Sequence, residues 1–249
     1  DPTYEELRSF IASLTQDEQI ELVTMTWLGR GDGTVDETWS PQPNGLVRSL
    51  SPGQDASIFA GGEFTTIGGS PRSRIAKVST MDGRADPSWI VSVDAAIESV
   101  VAVAEGGLVI AGWFESVNGI PRPAIAKIDA SGNVDPDWHV DLGADAVLSV
   151  VSSADSTIDG AAYRYGSGPN GIAFRLDSKG HELWPHREFT ESIRLAVSCA
   201  SGDLLVGGDF RQVAGEVRLG FAALDADVAL QVERERGLER LQHARRAGF

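Results

Sequence analysis

Residues 97–114 read IESVVAVAEGGLVIAGWF, and residues 120–138 read IPRPAIAKIDASGNVDPDW. The preceding stretch contains similar short motifs in the same order, with GGEF at 61–64, PR at 71–72, IAKV at 75–78 and GRADPSW at 83–89. Because glycines, prolines and tryptophans return in the same order, these stretches are copies of one repeated unit.

The spacing of equivalent residues gives the length of the unit. Three series show it: Val78, Ile128, Leu176 and Leu224 at intervals of 50, 48 and 48; Phe64, Phe114, Tyr163 and Phe210 at 50, 49 and 47; and Trp39, Trp89 and Trp138 at 50 and 49. Each unit consists of short, β-branched apolar pieces separated by Gly, Pro, Asp or Asn, which predicts about four short strands. Four-stranded units repeated around an axis form a β-propeller. The predicted fold class is therefore mainly β.

The repeated residues have predictable structural roles. The paired glycines, such as Gly61-Gly62, fall inside a strand, where a missing side chain permits a bulge or a close backbone approach. The Phe or Tyr that follows is expected to fill the gap between neighbouring sheets. The Trp of Asp-Pro-x-Trp is expected to pack between them.

The pattern Gly-Gly-x-Phe, Pro-Arg-x-x-Ile-Ala-Lys-Ile-Asp and Gly-x-x-Asp-Pro-x-Trp resembles the bacterial delta-sixty repeat, a β-propeller family of unknown function. The resemblance covers about residues 33–228 and is weak over 146–192. There Asp159-Gly160-Ala161 stands in place of the glycine pair, and Glu182-Leu183-Trp184 in place of Asp-Pro-x-Trp. The resemblance implies a fold and supplies no catalytic residue.

Both ends of the chain have helical patterns. Two capping boxes, Thr3-x-x-Glu6 and Thr15-x-x-Glu18, predict a helical segment over residues 1–30. This stretch, through about residue 39, resembles the N-terminal part of a small uncharacterised helical bacterial family. Residues 229–249 are predicted to form a basic C-terminal helix. The predicted domains are thus 1–30 helical, 31–228 propeller repeats and 229–249 helical.

The first and last repeats are incomplete. Residues 33–39 form the tail of a repeat without its head, and residues 203–227 form a head without its tail. We therefore expect about four blades, closed by an N-terminal strand that completes the last sheet and removes its open edge. An arc that closes with a second copy, or a shortened relative of the family, is the alternative.

Composition restricts the partners and the compartment. The net charge of −15 opposes binding to nucleic-acid phosphates and to anionic lipid. The sequence contains no apolar run of the ~20 residues that a membrane helix needs, so direct membrane insertion is not expected. The compartment, cytoplasmic or exported, is left open.

Candidate motifs for chemistry are better explained as parts of the repeat or as turns. The GGEF at 61–64 recurs as Gly207-Gly-Asp-Phe210, and no Gly-x-Ser-x-Gly elbow is present. The oxygen-rich stretch Asp129–Asp135 lacks the distal Glu of a calcium loop, and His181 with His186 is interpreted as a surface turn. We therefore predict no catalytic, cofactor-binding or metal-binding residue and no cofactor.

The departures from the repeat are more informative than the repeat itself. Where other units have Gly-Gly-Glu-Phe or a close variant, the second has Trp113 and the third has Tyr163, Arg164 and Tyr165 beside a glycine-rich loop. These four residues form the candidate interaction surface, because loops on a rigid scaffold often carry function. The function predicted is that of a non-enzymatic propeller, a scaffold or accessory subunit with a protein partner or a homo-oligomer. The alternative is a carbohydrate- or metal-binding propeller, or an enzyme, with a site in the central funnel.

Overall fold

The computed structural model describes residues 38–225, except Glu105, Ala154, Trp184, Ala200 and Ala214. The chain divides into two parts between Ser40 and Pro41, and the description below concerns the second part. Its described residues form strands and turns and no helix. The helices predicted over 1–30 and 229–249 lie outside the described residues.

Four antiparallel sheets follow one another along the chain. Sheet 1 contains β1 (Val47–Pro52), β2 (Ser57–Gly62) and β5 (Ile75–Ser79), with the hairpin β3 (Thr66–Ile67) and β4 (Ser70–Pro71) between its last two strands. Sheet 2 repeats this order with β6 (Ile97–Ala102), β7 (Leu108–Gly112) and β10 (Ile125–Ile128), and with the hairpin β8 (Ser116–Val117) and β9 (Ile120–Pro121).

Sheets 3 and 4 keep the order but differ in their hairpins. Sheet 3 contains β11 (Ala146–Ser152), β12 (Ile158–Tyr163), β13 (Gly171–Leu176) and β14 (Arg187–Phe189). Sheet 4 contains β15 (Ile193–Ser198), β16 (Leu204–Gly208) and β19 (Phe221–Leu224), with the hairpin β17 (Gln212–Val213) and β18 (Glu216–Val217). Phe189 of β14 pairs with Val213 of that hairpin, which links the two sheets.

In sheets 1 and 2 the fourth strand predicted for each unit is reduced to a single bridging residue, whereas sheet 3 has such a bridge and also keeps β14 as a fourth strand. The bridges are Val78 to Ala85, Ile128 to Val134, and Leu176 to Glu182. In sheets 1 and 2 a proline follows within two residues of the bridge, and proline has no N–H to donate to a longer ladder. In these two sheets, three long strands and one bridge therefore replace the four strands expected.

The paired glycines allow the first two strands of a sheet to approach closely, as predicted. A Cβ on Gly62 would lie 2.0 Å from the carbonyl oxygen of Leu46, and one on Gly112 would lie 2.1 Å from that of Ala96. The facing strand shifts register at this point, between Val47 and Ser49 in sheet 1. The glycines thus accommodate a bulge in the first strand of the sheet.

The core lies between the sheets. One apolar cluster joins sheets 1 and 2, a second joins sheets 2 and 3, and a third joins sheets 3 and 4. Trp89 and Trp138 are buried in the first and second clusters, and Trp89 packs 5.3 Å from Phe59 between ring centroids. The predicted position of these tryptophans between sheets is confirmed. Phe64, Phe114 and Phe210 are also buried, as expected.

We call the contact between two successive sheets a seam. At each of the three seams, a serine of one sheet binds the backbone of the next. Its Oγ accepts a hydrogen bond from a backbone amide of the following sheet: Val100 N to Ser49 at 3.0 Å, Val150 N to Ser99 at 3.1 Å, and Ala196 N to Ser149 at 3.2 Å. The repeat therefore specifies the stacking of sheets as well as each sheet.

The architecture is mainly β, as predicted, with repeated sheets of propeller type that pack on one another in chain order. The predicted pairing of residues 33–39 with the last sheet involves residues outside the described ones, so blade number and closure stay predictions. Within residues 38–225, apart from the five exceptions, no helix is long and apolar enough to cross a membrane.

Candidate interaction surface

Three of the four predicted surface residues lie together. The ring centroids of Trp113 and Tyr163 are 6.0 Å apart, those of Trp113 and Tyr165 are 5.9 Å apart, and those of Tyr163 and Tyr165 are 5.0 Å apart with an edge-on geometry. We call these three residues the aromatic cluster. Trp113 follows the end of β7, whereas Tyr163 ends β12, so the cluster spans sheets 2 and 3.

The contact between Trp113 and Tyr163 follows from strand register, and it corrects one sequence alignment. Ala162 pairs with Val147 in sheet 3 as Gly112 pairs with Ile97 in sheet 2. The residues that follow, Tyr163 and Trp113, therefore occupy equivalent positions in their sheets, and we call such a set of equivalent positions a row. The spacing of aromatic residues predicts Tyr163 in the row of Phe114, but the structure places Arg164 there. The glycine pair corresponds to Ala161 and Ala162, whereas the sequence alignment predicts Asp159-Gly160-Ala161 in its place.

Trp113 is held in place by a polar network that reaches sheet 1. Its Nε1 donates a hydrogen bond to Glu98 Oε1 at 2.9 Å. Arg48 Nη1 lies 3.4 Å from the other carboxylate oxygen of Glu98, while Arg48 Nε and Nη2 both contact Glu63 Oε1. The hydrogen bond from Arg48 to Glu63, aided by the nearby charge of Glu98, raises the pKa of the guanidinium. Charge therefore pairs across this seam beside the aromatic rings.

Arg164 has a different role from its aromatic neighbours. Its Nε donates to the carbonyl oxygen of Gly143 at 2.7 Å, and its Nη1 donates to Glu188 Oε1 at 3.3 Å. Two further bonds join the same loops, from Tyr165 N to Asp145 Oδ2 at 2.6 Å and from Asp145 N to the carbonyl of Tyr163 at 2.9 Å. Arg164 thus positions the loops that carry the tyrosines.

The glycine-rich loop of sheet 3 takes the place that a short hairpin has in the other sheets. Arg164 N donates to the carbonyl of Asn170 at 2.9 Å, and Asn170 Nδ2 donates back to the carbonyl of Arg164 at 2.7 Å. Gly166 has a φ of 143°, a conformation that residues with side chains rarely adopt. The loop therefore closes on itself next to Tyr165.

The exposure of the cluster decides what it can do. Tyr165 is 64% exposed, and Trp113 and Tyr163 are half-buried, so ring surface faces solvent beside the carboxylate of Glu98. Among the described residues no group of three His, Cys, Asp or Glu side chains is placed to hold a metal ion. An apolar ring surface with charged neighbours is suited to binding another molecule.

A buried ion pair in the third unit was not predicted from the sequence. Asp159 is fully buried in the seam between sheets 3 and 4, with Arg175 Nε at 2.6 Å from Oδ1 and Ser198 Oγ at 2.5 Å from Oδ2. Two features of the sequence could have indicated the pair. Asp159 is a single acid among apolar residues, and Arg175 lies where the first two units have Lys77 and Lys127. This pair stabilises a seam and lies apart from the aromatic cluster.

The N-terminal segment and the first repeats each match a known family. Residues 4–41 match the family "Protein of unknown function (DUF3775)", and residues 54–88 and 106–137 match "Domain of unknown function (DUF5122) beta-propeller". The two-part composition predicted from the sequence is thereby confirmed. No curated protein matches the chain.

Solved structures resemble this chain only distantly. A protein of unknown function from Bacteroides caccae is 12% identical with a TM-score of 0.46, over 75% of this chain and 63% of that one. The extracellular domain of a putative one-component system from B. thetaiotaomicron is 14% identical with a TM-score of 0.43, over 69% and 21%. The WD40 β-propeller domain of Doa1 is 12% identical with a TM-score of 0.35, over 76% and 85%. The alignments thus span less than two thirds of the first two structures.

Proposed function

We propose that the protein is a non-enzymatic propeller that binds a protein partner through the aromatic cluster, as a scaffold or accessory subunit. One observation supports this most directly: Trp113, Tyr163 and Tyr165, all at departures from the repeat, come from two sheets to form one partly exposed surface. Tryptophan and tyrosine are enriched among the residues that dominate binding energy at protein interfaces.

The network around the cluster favours binding because it orders the rings in advance. Trp113 is fixed through its Nε1 by Glu98, and the backbone of Tyr165 is fixed by Asp145. These rings therefore lose little conformational freedom when a partner covers them, which leaves more of the contact energy as affinity. The net charge of −15 favours association with a partner whose facing surface is basic.

The test is capture of partners by the tagged full-length protein, compared with Trp113→Ala and Tyr165→Ala. Met81→Ala is the matched control, because Met81 is 84% exposed on a turn of sheet 1. A protein that is lost with both cluster variants and retained with the control is then purified and titrated. We expect its Kd to rise at least about tenfold, or about 1.4 kcal/mol, with each cluster variant. Binding that is equal for all four proteins would disprove the proposal.

Carbohydrate binding is the second candidate, because the same half-exposed ring faces, bordered by Glu98 and Arg48, suit a sugar ring with its hydroxyl groups. Titration with oligosaccharides, followed by tryptophan fluorescence in the wild type and in Tyr165→Ala, separates this candidate from the first. A saturable change that the variant loses would favour the sugar.

A further inference from the structure

Large apolar side chains are exposed at both ends of the series of sheets. On sheet 1, Leu50 is 61% exposed and Val47 is 37% exposed, and we call the surface formed by these two residues the leading face. On sheet 4, Leu195 is 54%, Val197 is 55% and Phe221 is 62% exposed, and we call the surface formed by these three the trailing face. Neither face includes a residue of the aromatic cluster.

Strand register shows what each face corresponds to inside the chain. Leu50 pairs with Ala60 as Val100 pairs with Ile110, and Val100 is buried against the preceding sheet. The leading face is therefore the side of a sheet that meets the sheet before it.

The trailing face corresponds to the opposite side. Phe221 pairs with Gly207 as Ile75 pairs with Gly61, and Ile75 is buried against the following sheet. Leu195 likewise occupies the row of Ser49, whose hydroxyl accepts the amide of Val100 in the following sheet. The two faces are thus the two unmatched halves of a seam.

Three residues on these faces, Leu50, Leu195 and Phe221, are larger than their equivalents in the other sheets, whereas Val197 has valines as its equivalents in sheets 2 and 3. The rows of these three residues are Leu50, Val100, Val150 and Ala196; Ser49, Ser99, Ser149 and Leu195; and Ile75, Ile125, Ala173 and Phe221. In each row the exposed end of the series carries the bulkiest side chain. Exposure to water favours the reverse, so these positions are explained by contact with another apolar surface.

We propose that the leading face of one copy packs on the trailing face of a second copy, so that the series of seams continues from chain to chain. The contact is head-to-tail, and such contacts close into a ring when the rotation permits. Two copies place eight sheets in the ring, within the range of 4–8 blades typical of propellers. At this seam Leu195 replaces the bridging serine, so an aliphatic contact replaces a hydrogen bond.

The charge beside the trailing face is compatible with this contact. Arg194, the residue before Leu195, pairs with Asp209 at 2.8 Å, so its guanidinium is neutralised within its own chain. The proposal is independent of partner binding at the aromatic cluster.

The test is the solution mass of the full chain, whose single-copy mass is 26.5 kDa. We expect twice this mass for the wild type, and a single-copy mass for both Leu50→Glu and Phe221→Glu. Met81→Glu, on an exposed turn away from both faces, is expected to keep the double mass. Circular dichroism spectra of the variants check that the sheets are retained.

A second measurement identifies which faces meet. In a Cys199→Ser background, Leu50→Cys and Phe221→Cys are introduced separately and the two proteins are mixed under oxidising conditions. A disulfide between the two chains supports the proposal. A wild type that stays a single copy up to about 100 μM, a range that covers moderate affinities, would overturn it. So would a double mass that survives Leu50→Glu, because the contact would then not use the leading face.

Discussion

The Asp159 carboxylate and the Arg175 guanidinium form a two-point ion pair inside the seam between sheets 3 and 4, with Nε to Oδ1 at 2.6 Å and Nη2 to Oδ2 at 2.9 Å. Sheet 4 completes the site, since Arg175 Nη2 also donates to the carbonyl of Gly202 and Ser198 donates to Asp159. The hydrogen bond to Asp159 raises the pKa of Arg175 despite the opposing effect of burial. The pair thus ties two sheets together through satisfied polar groups.

Removal of one partner of this pair is expected to destabilise the protein strongly. Asp159→Ala leaves the guanidinium of Arg175 buried without its carboxylate, which costs about 3–5 kcal/mol of unfolding free energy. The double variant Asp159→Leu/Arg175→Met removes both charges and is expected to recover most of that loss. Urea denaturation measures both. A single variant that costs as little as the double variant would show that the pair is not coupled.

The sequence was sufficient to predict the repeat because its recurring glycines and tryptophans occupy positions where the backbone or the packing permits few other residues. Gly62 and Gly112 permit the close approach of a neighbouring carbonyl, and Trp89 and Trp138 are buried between sheets. Each of these roles requires one residue type at one spacing, so periodicity alone identifies it. The fourth strand was overestimated in sheets 1 and 2, because a single bridging residue and a short strand have the same apolar signature.

The candidate site was predicted only in part. Departures from the repeat indicated Trp113, Tyr163 and Tyr165, and the rings do meet. The predicted alignment of Tyr163 was wrong by one residue, because Arg164 stands where the other units have the phenylalanine that marks the register. The partners Glu98 and Arg48 could not be found, since strand pairing and not sequence distance brings them beside Trp113.

Two glycines provide a matched test of the close approach between strands. Gly112→Ala places a Cβ 2.1 Å from the carbonyl oxygen of Ala96, so the strands must separate. We expect a loss of about 3 kcal/mol of unfolding free energy. Gly168→Ala is the control, because a Cβ there has nothing within 4 Å and the residue has no positive φ. Thermal or urea denaturation distinguishes them, and equal stabilities would contradict the close-approach explanation.

Arg164 is expected to position the loops around the aromatic cluster without being indispensable to the fold. Arg164→Ala removes the hydrogen bond to the carbonyl of Gly143, so the amide of Asp145 should exchange with deuterium about tenfold faster. Arg164→Lys should not restore protection, because a single ammonium lacks the guanidinium's fork of donors. Arg211→Ala is the control, with a side chain 79% exposed. Unchanged exchange at Asp145 in Arg164→Ala would refute this role.

The hydrogen-bonded carboxylates in the turns are expected to make the protein less stable in acid. The pKa of Asp129 is held below its ordinary value of 3.8 by hydrogen bonds from Asn133 and from nearby amides, and that of Asp55 is lowered by its hydrogen bonds from Lys77 and Ser57. A carboxylate with a lowered folded-state pKa stabilises the fold above its unfolded pKa, and this contribution disappears as the pH falls through the folded value. We therefore expect a Tm that changes little between about pH 7 and pH 5 and then falls below about pH 4. Asp129→Asn should lower the Tm at neutral pH and reduce the fall in acid, because its amide does not titrate. A main transition near pH 6 would point to histidine instead and would contradict the assignment to these carboxylates.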